Sequence, residues 1–208
     1  MPLKHIAHAA PTSAEHDSAA RRDCAGLTLD LDHEAALTRR WAARDLAACP
    51  AAAPALAARL RCEPDRSVRE VIFSSLTAIG NEAAVAGMVR CLRSEQAALR
   101  NEAIDSLKQL PLQVAPVMNS LLQDADPDVR IFAINILESL GHPDVERWLI
   151  AVIERDAEVN VCGTAVDLLS ELGSPAARPA LLQLKLRFAD EPYIQFACDL
   201  VLQRLSST

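Results

Sequence analysis

Three aspartates at alternate positions, Asp124, Asp126 and Asp128, lie just ahead of an apolar stretch, and carboxylates so spaced open the loop that holds calcium in EF-hands. The pattern breaks where that loop is strictest. Its sixth position needs glycine and is Val129, and its twelfth needs glutamate and is Asn135. Acids directly before a helix have a simpler use: they accept hydrogen bonds from the free N–H groups of the first turn and face the positive end of its dipole. His5 and His8 have ligand-like spacing, but no Cys or carboxylate beside them completes a tetrahedral set. Cys24, Cys49, Cys62, Cys91, Cys162 and Cys198 contain no C-x-x-C pair and fall mostly inside apolar patterns, so reduced, buried thiols are expected rather than zinc. Nucleophile-elbow, phosphate-loop and dinucleotide-binding patterns are absent. The expectation is a non-enzymatic chain with no cofactor and no metal.

Composition restricts the elements that carry these residues. Half of the 208 residues are hydrophobic, but only six are Gly and seven aromatic (four Phe, two Trp, one Tyr). Such a chain can bury a core, and Ala and Leu, which dominate it, are good helix formers and poor strand formers. An all-α fold follows. A formal charge of −7 and a pI near 5.2 oppose a sequence-independent grip on nucleic acid, which needs surplus Lys and Arg. No run approaches the roughly 20 apolar residues of a membrane span, and residues 1–30 show no continuous apolar stretch of the signal-peptide kind, so no leader or span is expected. A soluble, cytoplasmic protein is expected, with no nucleic acid and no membrane among its partners.

Self-similarity organises the chain. The segments 67–80, 98–111 and 128–141 align without gaps, 160–173 continues the series and 37–50 begins it. Their homologous residues Leu46, Leu76, Leu107, Leu137 and Leu169 recur about every thirty positions. Within a copy the apolar positions run i, i+3, i+4, i+7, as in Val129, Phe132, Ala133 and Ile136, the stripe of an amphipathic helix. This first helix should stop at Gly80, Pro111, Gly141 or Gly173, by a left-handed residue or a missing N–H. A second helix follows within a few residues, with Pro143 or Pro175 near its start and, in the fourth copy, a stripe of Val145, Trp148, Leu149, Val152 and Ile153. So short a connection makes the pair antiparallel, and a hairpin that cannot bury both stripes must stack on its neighbours. Hairpins are expected over 34–62, 66–93, 96–123, 127–155 and 158–189, then one helix over 191–205. Residues 1–30 show no sustained stripe and are expected to be a flexible segment, or an arm on the first repeat, ahead of a repeat domain over 31–208.

The stretch DADPDVRIFAINILESLGHPDVERWLIAVIE, with its D-P-D-V-R start and L-G turn, resembles the HEAT repeat, in the short bacterial form also found in phycobilisome-lyase proteins. The likeness covers about residues 34–205 and implies a right-handed α-solenoid of about five helical hairpins plus a C-terminal helix. It also implies a ladder between repeats made by the Arg after Val and an acid before the helix, here at Arg39, Arg69, Arg100 and Arg130. The fifth copy departs, with Cys162 at the Arg position and Gly163 after it, which reads as a packing adjustment or a kink shaping a groove. Deoxyhypusine hydroxylases are similar in fold but need several His-Glu pairs, and only His33-Glu34 is present. HEAT-like DNA glycosylases use a basic concave face with Trp and an acid; Trp148 and Arg147 with Glu146 or Asp144 imitate that locally, against the net charge.

In solenoids of this kind the second helices line the concave face, so partner contacts are expected at Arg90, Arg93, Asn119, Gln123, Arg147, Arg178, Gln183, Lys185 and Arg187. Arg is enriched at interface hot spots. Trp148 is expected in the core. The final helix, with Tyr193, Ile194, Phe196, Leu200, Val201, Leu202 and Leu205, has little polar width, which suggests a homodimer or a docked partner at that end. The function expected is a protein-binding adaptor, scaffold or regulatory subunit. The alternative is a chaperone-like, bilin-lyase-like subunit acting on a protein-attached cofactor.

Overall fold

The computed structural model describes residues 24–206, and every regular element among them is helical. His5 and His8 lie outside the described residues. The described residues fall into two compact units that divide between Ile79 and Gly80.

The first unit holds α1 (24–30), α2 (Ala36–Asp45), α3 (Ala53–Leu60) and α4 (Arg66–Ile79), with short 3-10 turns at Leu46–Ala48 and Pro50–Ala52. Both α2 and α3 pack on α4. Ala42, Ala43, Ala53 and Ala57 are buried beside Leu46, Leu56, Ile72 and Leu76, and these small side chains let backbones come close. Thus the Ser75 hydroxyl of α4 donates to the Ala43 carbonyl of α2 at 2.8 Å. Cys24 and Cys49 are joined in a disulfide that ties α1 to the turn after α2. This corrects the expectation of six reduced thiols: four cysteines stay outside the disulfide, Cys91, Cys162 and Cys198 buried and Cys62 exposed. Sequence spacing cannot report a pairing made by two segments that meet only in the fold.

The second unit holds α5 (Glu82–Cys91), α6 (Ala97–Lys108), α7 (Pro111–Leu121), α8 (Pro127–Leu137), α9 (Val145–Arg155), α10 (Val159–Leu172), α11 (Arg178–Arg187) and α12 (Pro192–Ser206). The first helices of successive repeats lie side by side, α6 on α8 and α8 on α10, and α12 closes that row against α10. The second helices form the other row, with α5 on α7 and α9 on α11, while α7 and α9 approach each other less closely. The stripe of α9 faces inward, with Val145, Trp148, Leu149, Val152 and Ile153 all buried.

Two helix starts of the second unit, those of α5 and α8, carry side-chain caps. Asn81 accepts from the Ala84 amide at 2.9 Å and Asp126 from the Asp128 amide at 3.0 Å, so the acid run before α8 caps a helix. Gly80 and Gly141 terminate helices at φ of 56° and 54°, where a side chain would be strained. Gly173 instead ends α10 in extended conformation, and a Cβ there would sit 2.6 Å from the Leu169 carbonyl oxygen. Pro111 opens α7 at its first position, where a missing N–H costs nothing.

Candidate functional site

Each arginine at the repeat position folds back on the loop before its own helix. Arg39 donates to the His33 and Glu34 carbonyls, Arg69 to Glu63 and Pro64, Arg100 to Ser94, and Arg130 to Asp124 and Ala125. Two of them also make bidentate pairs with an acid that follows the second helix. Arg39 grips Glu63 at 2.8 and 2.7 Å, and Arg130 grips Asp156 at 2.7 and 2.9 Å. The Glu63 side chain has no exposed surface and takes a third charged bond from Arg59 at 2.8 Å. Burial alone pushes its carboxyl up. The bonds from Arg39, the Asp65 amide and Arg59 outweigh that and hold it down at about 2.

The fifth copy replaces its missing arginine from another helix. Cys162 stands at the repeat position with its thiol 3.4 Å from the Asp156 carbonyl. Arg187, at the end of α11, donates to that same carbonyl at 2.8 Å and to those of Ile153 and Glu154 at 2.9 and 2.7 Å. Gly163 has its own reason: a Cβ there would lie 3.0 Å from the Tyr193 ring of α12. α10 runs unbroken through it, so the glycine serves close packing. The Tyr193 hydroxyl donates to the Asp167 carboxylate at 2.6 Å, which pushes the phenol up to about 12.

Between α7 and α9 the structure leaves a groove of about 300 Å³. Leu122, Ala151, Val152 and the Trp148 ring give it an apolar lining, and Asn119, Gln123, Asp124, Arg130, Arg155 and Asp156 supply polar groups. The Asp124 carboxyl is held below the usual carboxylate range by Arg93, which pairs with it. Asp156 is occupied by Arg130. Arg155 is exposed and forms no ion pair among the described residues. Trp148 is 6% exposed, stacks on His142 at 5.0 Å, and its buried indole N–H has no hydrogen-bond acceptor among the described residues. A buried donor left so costs about 1–3 kcal/mol.

Of the residues singled out for partner contact, the structure brings only Asn119 and Gln123 into this groove. Arg90 and Gln183 are exposed elsewhere. Arg93 pairs with Asp124, Arg147 with Asp144 and Lys185 with Asp199, Arg178 donates to the Ser206 hydroxyl, and Arg187 serves the α9 carbonyls. Arg155 was missed because it lies at the end of a helix, where a cation also answers the dipole. Its only signal was its i+7 spacing from Trp148. At the far end Ile194, Val201 and Leu205 are buried, whereas Tyr193, Phe196 and Leu200 are 53%, 68% and 53% exposed.

Repeated hairpins with caps, left-handed glycine stops and an arginine bracket define a HEAT-repeat protein, and the family described as HEAT repeats matches residues 114–194. The curated relatives are more specific. The bilin biosynthesis protein PecE of Nostoc sp. (strain PCC 7120) is 40% identical over 88 residues, 41% of this chain and 35% of that protein. PecE of Mastigocladus laminosus is 31% identical over 151 residues, 71% of this chain and 56% of that protein. The matches thus span about half the length of these relatives or less. Among solved structures, the complex of CpcE and CpcF of phycocyanin lyase from Nostoc sp. PCC7120 aligns at 18% identity over 99% of each chain, with a TM-score of 0.37.

These relatives overturn the expectation of a non-enzymatic adaptor. Proteins of bilin biosynthesis favour the lyase-subunit alternative. The error has a physical origin: the repeat motif encodes packing, so the residues that recur most clearly are silent about activity. No helix among the described residues is long and apolar enough to cross a membrane.

Proposed function

We propose that this chain acts on a bilin held by a protein, as one subunit of a lyase-type assembly. The supporting observation is the 31% identity to the bilin biosynthesis protein PecE across 71% of the chain. Two rows of packed helices give a rigid surface, so little conformational freedom is lost when a carrier protein docks. A second protein chain, another copy in the simplest case, covers the apolar end face of Tyr193, Phe196 and Leu200. The work takes place in the cytoplasm and involves no nucleic acid.

The test is to mix the purified chain, alone and with any chain that co-purifies, with phycocyanin. Visible absorbance and the masses of chromophore-bearing peptides are followed. A change in the bilin band, or bilin gained or lost by the carrier, is the expected result, and an unaltered spectrum and mass in both arms sinks the reading. For the end face, sedimentation should show an assembly that F196E with L200E dissociates. A mass equal to one chain at all concentrations, with no co-purifying protein, would remove that part.

A further inference from the structure

The groove between α7 and α9 has the chemistry of a site in its own right. Its two acids are already engaged, Asp124 by Arg93 and Asp156 by Arg130. What remains for a ligand is donor-rich: the guanidinium of Arg155 and the exposed carboxamides of Asn119 and Gln123. Arg presents a planar fork of donors that matches a carboxylate. The lining beside these groups is apolar, formed by Leu122, Ala151, Val152 and the Trp148 ring. A volume of about 300 Å³ lies at the small end of ligand sites. The Trp148 indole N–H is buried without an acceptor among the described residues, so a hydrogen bond there is left unmade.

From this arrangement we infer that the groove binds a small molecule with a flat apolar body and one carboxylate. The carboxylate sits on Arg155, flanked by Asn119 and Gln123, and the ring lies against Val152 and Trp148. A cation is disfavoured because both acids are paired. An uncharged aromatic leaves Arg155 without its counter-ion. The site stands on geometry alone and holds whether or not the chain works on a bilin.

The chain carries two tryptophans, so a ¹⁵N-labelled sample shows two indole N–H signals, assigned with a Trp41→Phe variant. The full chain is titrated with 2-naphthoate and, separately, with its uncharged counterpart 2-naphthalenemethanol. Naphthoate should shift the Trp148 signal saturably and leave Trp41 in place, and the alcohol should bind about tenfold more weakly or worse. Arg155→Gln, at a solvent-exposed position, should weaken naphthoate about tenfold and leave the alcohol unchanged. Gln123→Glu should weaken naphthoate by repulsion, and Arg90→Gln, outside the groove, should do nothing. Equal affinity for acid and alcohol, no saturable shift of Trp148, or full binding by Arg155→Gln each overturns the assignment. So does an equal loss of both probes in that variant, which would indicate distortion instead of charge recognition.

Discussion

Replacing Glu63 by Gln keeps the shape of the first bracket and removes its charge. Glu63 is 4% exposed and Arg39 6% exposed, and the carboxyl is held at about 2 against an ordinary 4.5. At 1.36 kcal/mol for each tenfold change, that gap corresponds to about 3 kcal/mol of stability at neutral pH, in line with the cost of leaving one partner of a buried pair alone. The direction with pH follows from the depressed folded-state value. The contribution is complete above about pH 4.5 and disappears as pH falls through about 2, leaving about 1 kcal/mol at pH 3. Urea unfolding followed by Trp41 fluorescence, with Trp148 replaced by Phe, reads the first unit. E63Q should lower the midpoint by more than about 1 M at pH 7, and most of that difference should be gone at pH 3. Other carboxylates cancel between the two proteins. A difference equally large at pH 7 and pH 3, or none at pH 7, would refute the claim that the Glu63 charge holds this bracket.

Three further outcomes follow from the second unit and the disulfide. Gly163→Ala should destabilise the chain by about 1 kcal/mol, because Tyr193 must give way, and in a Tyr193→Ala background it should stabilise by about 1 kcal/mol through helix propensity; thermal unfolding of the four proteins checks the cycle. Arg187→Gln should cost about 2 kcal/mol through the lost charged bonds to the α9 carbonyls. Adding Cys162→Arg should recover part of it in chemical denaturation, since the repeat position can supply its own bracket. Alkylation of the denatured, unreduced protein should label four of the six cysteines, leaving Cys24 and Cys49; Cys24→Ser should then lower stability by about 3.5 kcal/mol, the loop-closure value for a separation of 25.

The all-α class, the period and most helix limits were legible in the chain because they are local: a stripe every three or four residues, a cap before it, a glycine after it. Val145, Trp148, Leu149, Val152 and Ile153 could be placed inside from spacing alone, and they are buried. The candidate site was only partly legible. Asn119 and Gln123 were singled out and line the groove, but Arg155 was not. The assignment of Arg187 and Lys185 to a free face could not be checked in one dimension, since their acceptors lie 31 to 34 and 14 residues away. The same limit hid the Cys24–Cys49 bond and the ring that Gly163 makes room for. Periodicity along each helix was enough to mark the face that packs inward, because burial of a stripe is a local property of one helix. Which charges are already taken and which remain for a ligand emerges from the packed helices alone, because ion pairing depends on distances between residues far apart in the chain.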